Sequence, residues 1–533
     1  MRLHISSLSL LALVGTACSP PSQPSTLGIT TLHISSGGEP KSLDPHLVTG
    51  TVEEKVLSSL FEGLVNMDYA TMMPVPGAAE RWDVSEDGVV YAFHINPTAK
   101  WSNGDPVTAG DFVYSWERIL NPKLAAEYAY MLYPIAGAEA YNKGETADFG
   151  AVGAKASDDS TLVVTLRAPT PYFLALHIHF TFYPVHRATI EAHGGTYDRE
   201  AAWTRAGIMV SNGPFMLSEW VPNDRIIANK NPDYWDAAKV RLDAVHYHPI
   251  QNPSVEERSF RAGELHITDK VPITKIQAYA KEHPDQLRVD PYLGTEFIRF
   301  NVKRPPLDDV RVRRALAMSI DRERIVNNIF RGGQRAAEYF TPPDTAGYTC
   351  ETRVPYDPEQ ARALLAEAGY PGGKGFPVKE LLYDSGDNQR LYVEAIQSMW
   401  RETLGIDVVL RNIDQKTWIG NMISGDFDIA KSAWYGDYVD PGNFLEMFFT
   451  NSGNNRTGFE SAEFDSMVHD AGVTRAGAAR DALFQRAEKI LLDAAPIAPV
   501  YFQSRPFLLD PRVRNVYPNQ LGRISFKDVY IVE

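Results

Sequence analysis

The chain has 533 residues, of which 44% are hydrophobic and 22% charged, so it can bury a sizeable core. Its formal net charge of −15 excludes the extended basic face that nucleic-acid phosphates require, and no nucleic-acid partner is expected. At roughly 100–200 residues per domain, this length predicts two to four domains.

The first 18 residues have the pattern of an export signal. Arg2 provides a short basic start, and residues 8–14 form an apolar run too short to span a bilayer. The string GTAC at residues 15–18 is similar to a lipoprotein processing site, which would leave Cys18 as the lipid-bearing N-terminus. Cleavage as an ordinary secretory signal stays open, because small residues also stand one and three positions before the cysteine. Both interpretations predict export, with residues 19–27 as a flexible tether.

The first half of the chain alternates between strand and helix patterns. Residues 31–34, 161–166, 226–229 and 244–247 are predicted strands. Residues 89–95 place an apolar side chain at every second position, which indicates a strand with one buried face. The string TVEE at 51–54 matches a capping box before a helix that carries Val56, Leu60 and Leu64 on one face. Thr108 and Asp111 form a second capping box.

The second half is richer in helix signals. Residues 310–320 are helical, with Val312, Leu316 and Ile320 on one stripe. Another helix begins after Asp357, with proline at its first position, and stops at Gly369. Further helices are predicted at 392–404 and 478–494. Strands and helices alternate throughout, which favours α/β lobes. After the signal, no apolar run reaches transmembrane length.

Six strings, spread in order over nearly all of the chain after residue 28, resemble the oligopeptide-binding proteins. These proteins are the extracytoplasmic receptors of peptide ABC importers, within family 5 of the solute-binding proteins. The strings are EPKSLDPH (39–46), LFEGL (60–64), WSNGDPVTAGDFVYSW (101–116), NPDYWD (231–236), DDVRVRRALAMSIDRERI (308–325) and AWYGDY (433–438). The chain is on this basis identified as a member of that family.

The resemblance implies an α/β, two-lobed periplasmic-binding-protein fold (type II, cluster C-like) with an extra domain inserted in the first lobe. Mapped onto this sequence, the first lobe combines residues 28–63, 185–290 and 504–533. The inserted domain is 64–184, and the second lobe is 291–503. The crossings between lobes are expected near residues 291–293 and near Ser504.

The same resemblance implies a receptor and not an enzyme. Such a receptor closes its lobes on an extended oligopeptide and delivers it to an ABC permease complex in the inner membrane. The expected location is the periplasm, with membrane attachment only through a lipid on Cys18. The expected state is a monomer, with no cofactor and no bound metal.

A receptor for many peptides must bind what peptides share, namely the two termini and the backbone. By family position, Asp437 is the expected partner of the peptide α-amino group. Trp434 and Tyr128 match positions that line the cleft. Lys431 stands where a carboxylate-binding arginine is expected, so the resemblance implies that it holds the ligand's C-terminal carboxylate, with less geometric precision than an arginine.

Other family positions depart from the pattern. A carboxylate-binding histidine position is Gln389 here, followed by Arg390, so the preferred peptide length can differ. Trp418 lies three residues beyond a pocket aromatic of the family, and Tyr501 falls in a stretch that supplies a cleft aromatic. All four side chains are candidate ligand contacts.

Three alternatives remain open. One is a receptor of the same fold for a metal chelate, haem, an opine-like compound or a cell-wall peptide. Another is a metallohydrolase that uses the pairs His177/His179 and His246/His248, if each pair shares a strand face. The last is a signalling or chaperone role. Cys350 is expected to be a packed small side chain without a disulfide partner.

Overall fold

The computed structural model describes residues 30–384 and 389–533, so the predicted signal, tether and Cys18 lie outside the described residues. The strands are β1 Thr31–Ser35, β2 Val65–Asp68, β3 Met73–Pro76, β4 Ala79–Val84, β5 Val90–Ile95, β6 Ala154–Asp158, β7 Thr161–Thr165, β8 Phe215–Val221, β9 Arg225–Lys230, β10 Ala244–His248, β11 Leu287–Phe300, β12 Arg335–Ala336, β13 Lys379–Asp384, β14 Val408–Ile413, β15 Ile429–Tyr435, β16 Ile497–Leu508, β17 Val513–Arg514 and β18 Tyr530–Ile531. The α-helices are α1 Thr51–Leu60, α2 Ala109–Leu120, α3 Ala138–Asn142, α4 Phe173–Leu176, α5 Arg187–Ala192, α6 Pro253–Arg261, α7 Ile276–Glu282, α8 Val310–Met318, α9 Arg322–Ile325, α10 Pro358–Glu367, α11 Gln389–Leu404, α12 Gln415–Ser424, α13 Pro441–Leu445, α14 Ala462–Val473 and α15 Ala478–Ala494. A π-helical turn covers Val326–Phe330, and 3₁₀ turns cover Ala129–Leu132, Phe149–Ala151, Phe180–Phe182, Ala202–Thr204, Ile273–Lys275, Pro371–Gly373 and Glu446–Phe448.

A four-stranded sheet joins the start of the chain to residues 215–248. Its order is β1-β10-β9-β8, with β1 parallel to β10 and the other neighbours antiparallel. The strands predicted at 31–34, 226–229 and 244–247 are confirmed as β1, β9 and β10. The parallel pairing of β1 with a strand more than 200 residues away is a non-local contact that local patterning does not reveal.

A second four-stranded sheet, β4-β5-β7-β6, is antiparallel throughout. Tyr91, Phe93 and Ile95 of β5 are buried, which confirms the predicted one-sided strand. α2 begins after Thr108, and the Asp111 carboxylate accepts hydrogen bonds from the Thr108 backbone N–H (2.7 Å) and hydroxyl (3.1 Å). The reciprocal cap predicted for this helix is therefore present.

The largest sheet has six strands in the order β12-β16-β11-β15-β13-β14. The strands β13 and β14 are parallel to each other, and β13 is also parallel to β15, whereas the remaining pairs are antiparallel. One face of β11 places Ile298 in a core with Trp400, and the other places Phe297 in a core with Phe444. The sheet is thus covered on both sides by helices, as a mixed α/β layer requires.

The two longest strands lie side by side and connect this sheet with the first one. β11 and β16 are antiparallel, with Pro291 opposite Ser504, and the register shifts between Pro291 and Thr295. Beyond Ser504, β16 exchanges hydrogen bonds with Thr268, through Thr268 N to Leu508 O (3.0 Å) and Leu508 N to Thr268 Oγ1 (2.8 Å). These strands carry the segments expected to cross between lobes; the domain boundaries themselves stay a prediction.

Two local predictions are wrong. α1 begins at Thr51 behind Gly50, which has no side-chain cap, and it ends at Leu60, so Leu64 lies beyond it. The capping box fails because Thr51 is the first helical residue and not the N-cap, and the Glu54 carboxylate that would complete the box pairs with Arg523. His177 and His179 flank helical turns and do not share a strand.

The remaining helix predictions are confirmed with small shifts in their ends. α15 has the predicted bounds, and α10 begins behind Asp357, whose side chain accepts from the backbone N–H groups of Glu359 and Gln360. Cys350 is buried, and its thiol has no disulfide partner within the described residues. Across residues 30–384 and 389–533, no helix combines the length and apolar character needed to span a membrane.

Candidate functional site

Asp437 stands just after β15, at a point where three separate parts of the chain meet. Gly436 precedes it, and its backbone N–H donates to Leu293 O at 2.8 Å. A Cβ at Gly436 would overlap Leu293 Cδ2, so any larger residue would require the Leu293 side chain to move.

Two tyrosines from residues 64–184 face this carboxylate. The Tyr128 hydroxyl lies 3.5 Å from Asp437 Oδ1. Tyr130, which is 48% exposed, also interacts with Asp437, and burial followed by the Asp437 charge raises the pKa of both hydroxyls. Protonated hydroxyls can donate to a carboxylate, so these two side chains orient Asp437 without neutralising it.

The charge around Asp437 is negative. Burial and then the Glu54 carboxylate raise the pKa of Asp437 to about 6, while Arg523 opposes this shift. Arg523 is itself ion-paired with Glu54. Asp437 forms no ion pair with any side chain of the described residues. A half-buried carboxylate with hydroxyl donors and no ion pair can accept a cationic group such as an ammonium.

Tyr438, the residue after Asp437, is fixed by aromatic stacking. The rings of Tyr172 and Tyr438 are stacked, with centroids 4.8 Å apart and planes at 15°. Trp434 is half-buried, and its Nε1 donates to Asn443 O (2.9 Å) and Oδ1 (3.1 Å). The indole is therefore fixed by hydrogen bonds and by packing against the core around Phe444. Tyr128 contacts Asp437 and Trp434 precedes it by three residues; their role in lining a cleft stays a prediction.

Lys431 lies on the opposite face of β15 from Trp434, where it meets two carboxylates. Its Nζ is 3.3 Å from Asp384 Oδ1 and 3.7 Å from Glu296 Oε2. Both contacts are longer than the 2.7–2.9 Å of strong charge-assisted hydrogen bonds. The ammonium has three donors, so it retains capacity for another acceptor.

Glu296 is the centre of a buried polar network. Its carboxylate accepts from the hydroxyls of Tyr392 (3.2 Å) and Tyr435 (3.4 Å) and from Gln503 Nε2 (3.0 Å). Burial raises the pKa of Glu296, and the nearby Lys431 ammonium opposes the rise. Tyr435 is 47% exposed, so this network reaches the protein surface beside the crossing strands.

The other candidate residues have different environments. Arg390 is exposed on α11 and pairs with Glu394 at 2.6 Å, one turn along the same helix. Tyr501 is buried against Phe330, with ring centroids 4.6 Å apart. Gln389 Oε1 and Trp418 Nε1 are buried atoms without a hydrogen-bond partner among the described residues. Trp418 packs against a small core with Leu382, Met422, Phe427 and Ala430.

The histidine pairs do not form a site with the required ligands. His177 Nδ1 lies 3.0 Å from Phe173 O, and His179 Nδ1 lies 3.0 Å from Thr181 Oγ1. His246 and His248 share a face of β10, and His248 Nε2 lies 3.1 Å from His33 Nδ1. No group of three or more potential ligands within the described residues has the geometry to hold a metal ion.

Sequence reasoning missed several residues of this region, namely Glu54, Tyr130, Glu296, Asp384, Tyr435, Gln503 and Arg523. One available signal was Glu296, a charged residue inside the otherwise apolar and buried part of β11. Another was Tyr130, which stands two residues after Tyr128. Glu54 and Arg523 have no local signal, because they meet only when the two ends of the chain come together.

Comparisons with known proteins give consistent results. The model of the family described as "Bacterial extracellular solute-binding proteins, family 5 Middle" matches residues 73–456. The periplasmic oligopeptide-binding protein OppA of Escherichia coli is 38% identical over 517 residues, covering 94% of this chain and 93% of that protein. The probable deoxycholate-binding periplasmic protein YgiS of Escherichia coli is 36% identical, covering 92% of each chain.

Solved structures agree in fold. The Escherichia coli murein tripeptide binding protein MppA matches with a TM-score of 0.81 at 35% identity, over 95% of this chain and 99% of that one. Haemophilus influenzae OppA, solved in complex with the peptide RPPGFSPFR, matches with a TM-score of 0.78 at 31% identity, over 95% and 99%. These matches confirm the predicted fold class, α/β of the two-lobed periplasmic-binding-protein type. The names of these relatives are those of binding proteins.

Proposed function

We propose, since the chain belongs to the bacterial extracellular solute-binding proteins of family 5, that its solute is a short peptide with a free α-amino group. Asp437 carries the proposal. It is a half-buried carboxylate with two tyrosine hydroxyls beside it and no cation of its own among the described residues. The ammonium of a peptide would complete this site, and the backbone would provide the contacts common to all sequences.

Lys431 is proposed to receive the other terminus of the peptide. The ligand carboxylate would share the ammonium with Glu296 and displace Asp384, whose contact is 3.3 Å. Trp434, Tyr128, Trp418, Gln389, Arg390 and Tyr501 remain proposed contacts for side chains and for longer ligands. Residues 28–63, 185–290 and 504–533 are proposed as one lobe, 64–184 as the inserted domain and 291–503 as the other lobe.

We propose that the loaded receptor is monomeric, does not transform its ligand and delivers it to an ABC permease. We place it in the periplasm, and an anchor at Cys18 would hold it to the membrane. Replacing Cys18 with serine tests the anchor, because the lipidated protein partitions into detergent and the variant would not. These statements rest on the family and on the leader-like sequence.

The first experiment is to purify the protein without denaturant and identify the co-purifying ligand by mass spectrometry. A ladder of peptides that share length but not sequence would support recognition of the termini and backbone. A single non-peptide compound would contradict the peptide proposal and favour the alternative that YgiS illustrates by its name. Asp437→Asn separates the two proposals, since the binding of a ligand without a free amine is indifferent to this substitution.

A further inference from the structure

Arg299 and Arg456 are cations for which the described residues provide no acidic partner. Arg299, on β11, is only 5% exposed, and Arg456 is half-buried in the segment that follows Glu446–Phe448. Neither guanidinium takes part in an ion pair within the described residues. The Nε atoms of both are buried and have no hydrogen-bond partner there. Two unpaired guanidinium groups close together, one buried and one half-buried, are costly because a buried charge normally requires a counter-charge.

The two side chains are close enough to affect each other. Burial, and then the charge of Arg456, lower the pKa of Arg299 to about 9. Arg299 Nη1 makes one long contact, 3.5 Å, to Asn454 O, and the backbone N–H of Arg456 donates to the same carbonyl at 2.9 Å. The guanidinium of Arg299 therefore points toward the loop that carries Arg456.

The guanidinium groups of other buried arginines in this chain have close acceptors, which the guanidinium of Arg299 lacks. Arg118 and Arg480 form two-pronged ion pairs, with Asp44 and Asp440 respectively. Arg322 donates to three backbone carbonyls. Since the fold satisfies these guanidinium groups with its own acceptors, the unmet donors of Arg299 indicate a missing acceptor.

A third unpartnered donor lies on the same face of the sheet. Ser432 is 1% exposed, and its Oγ has no hydrogen-bond partner among the described residues. Phe297 is directly opposite Ser432, and Arg299 is directly opposite Ala430, so Ser432 is the diagonal neighbour of Arg299. Such diagonal neighbours lie about 7–8 Å apart, within reach of a long side chain.

The loop that carries Arg456 is held in one conformation by its own hydrogen bonds. The Asn455 side-chain amide donates to Phe448 O (3.2 Å), Phe449 O (3.1 Å) and Phe459 O (2.8 Å). Thr457 O accepts from the backbone N–H of Val302 at 2.9 Å, next to the end of β11. The position of Arg456 relative to Arg299 is thus fixed before any ligand arrives.

We propose that Arg299 and Arg456 bind a small oxyanion, of the carboxylate or phosphate class, between their guanidinium groups. The planar guanidinium fork matches two oxygens of such an anion, and the Ser432 hydroxyl adds a further donor. The anion comes from one of two sources, a free inorganic ion or an acidic group of the bound solute. Because Lys431 is the proposed partner of the ligand carboxylate, a free inorganic ion is the expected source.

The test is thermal unfolding of the full-length protein in inorganic phosphate, with chloride as the replacement at constant ionic strength. The melting temperature of the wild type should rise with phosphate and reach a plateau, because a ligand of the native state stabilises it. This rise should be lost in Arg299→Gln and in Arg456→Gln. Arg304→Gln is the matched control, because Arg304 already has Asp426 and Asp428 as partners and should keep the full rise.

Two outcomes would overturn the proposal. One is a phosphate-dependent rise that persists in both variants, which would place the anion elsewhere. The other follows from Arg299→Met, which removes the buried charge. We expect this variant to melt no lower than the wild type in chloride and lower in phosphate; a lower melting temperature in both salts would mean that Arg299 only packs. Arg456→Gln tests the site independently if Arg299→Gln does not fold, because its side chain is only half-buried.

A second arm distinguishes the two sources and rests on the proposed peptide-binding function, which the phosphate arm does not use. Affinities are measured for a peptide acid and its C-terminal amide with the wild type and Arg456→Gln. If Arg456→Gln binds the peptide acid and the amide as tightly as the wild type does, and its phosphate effect is lost, the bound anion is a free ion. A loss of about tenfold for the acid alone identifies the acidic group of the solute. Failure of all peptides to bind would contradict the peptide proposal and leave the phosphate result standing.

Discussion

The hydroxyl of Tyr128 lies 3.5 Å from the carboxylate of Asp437, although 309 positions separate the two residues in the chain. Tyr128 belongs to the predicted inserted domain, and Asp437 to the predicted second lobe. The contact brings together the two segments that the proposed amine site requires. A ligand ammonium would meet a carboxylate that is already oriented, so little ordering remains for the binding step.

Replacing Asp437 with asparagine should weaken binding of peptides with a free amino terminus by about 2–5 kcal/mol, because the buried ammonium loses its counter-ion. N-acetylated peptides should bind wild type and variant equally. Isothermal titration with one peptide in both forms measures this difference. Asp426→Asn is the control, since Asp426 pairs with Arg304 on the surface. Equal losses for free and acetylated peptides would contradict the role of Asp437.

Binding should depend on pH in a bell shape. The pKa of Asp437 is raised to about 6 in the free protein, and the complex requires the ionised carboxylate. Binding therefore releases a proton below this pKa, and the affinity should fall about tenfold per unit as the pH decreases below about 6. Above about 8 the peptide amine, with an ordinary pKa of about 7.7–8.0, loses its charge and the affinity falls again.

Titration calorimetry between pH 4.5 and 9.5 measures both limbs. Asp437→Asn should flatten the acidic limb. Glu446→Gln is the matched control, because burial and the charge of Asp440 raise the pKa of Glu446 to about 7, near the Tyr172–Tyr438 stack. If the acidic limb disappears in Glu446→Gln and persists in Asp437→Asn, the titrating carboxylate is that of Glu446, and the proposed role of Asp437 is contradicted.

Local chemistry predicted those elements whose determinants are contiguous in sequence. α15 has the predicted bounds, and α2 begins at the predicted cap, because a helix and its cap use neighbouring residues. The predicted box at Thr51 failed for a non-local reason, since the carboxylate of Glu54, its fourth residue, pairs with Arg523. A rule that considers four consecutive residues cannot detect a competing partner outside the helix.

The candidate site shows the same limit. The family string AWYGDY indicated Asp437 and a family position indicated Lys431, but neither reveals what surrounds the residue. The position of Tyr130 and of the Glu54–Arg523 pair depends on the docking of three distant segments. Glu296 was missed because its hydrogen-bond partners come from three further elements. They surround its buried carboxylate only once the sheet has assembled.

The buried ion pair between Asp44 and Arg118 should be essential for stability. Two hydrogen bonds, of 2.6 and 3.0 Å, join the side chains, and His46 Nδ1 lies 2.9 Å from the same guanidinium. Asp44→Asn would leave Arg118 buried without a counter-charge, so the free energy of unfolding should fall by about 3–5 kcal/mol. Urea unfolding followed by circular dichroism measures it. Asp407→Asn, in an exposed pair with Arg401, should be silent.

The same cluster predicts loss of stability in acid. The pKa of His46 is lowered to about 4, chiefly by burial, whereas an unfolded histidine titrates near about 6.5. Between these values the unfolded chain binds a proton that the folded chain does not, so this contribution declines as the pH falls from about 6.5 to about 4. His46→Gln should remove part of that slope in the urea titrations. An unchanged slope would mean that other groups control it.

Substitutions of Lys431 and Asp384 should have opposite effects on the affinity for ligands that carry a free carboxylate. Asp384 occupies one side of the Lys431 ammonium at 3.3 Å, so it competes with a ligand carboxylate for the same donors. Asp384→Asn should therefore strengthen binding of peptide acids. Lys431→Met should weaken it by about 1.5–3 kcal/mol, the usual contribution of a hydrogen bond to a charged group. C-terminal amides should respond to neither substitution, because they lack the charge that is being held.

The matched control is Asp428→Asn. Asp428 lies 3.4 Å from Lys379 at the other end of the same two strands, β13 and β15. The substitution therefore makes the same chemical change as Asp384→Asn, but at a carboxylate that does not compete for the Lys431 ammonium. Affinities of one peptide as acid and as amide, measured by calorimetry for the wild type and the three variants, decide the point. If Asp384→Asn strengthens acids and amides alike, the carboxylate acts through the overall negative charge of the site. If it changes neither, Lys431 serves only to neutralise Glu296, and the ligand carboxylate binds elsewhere.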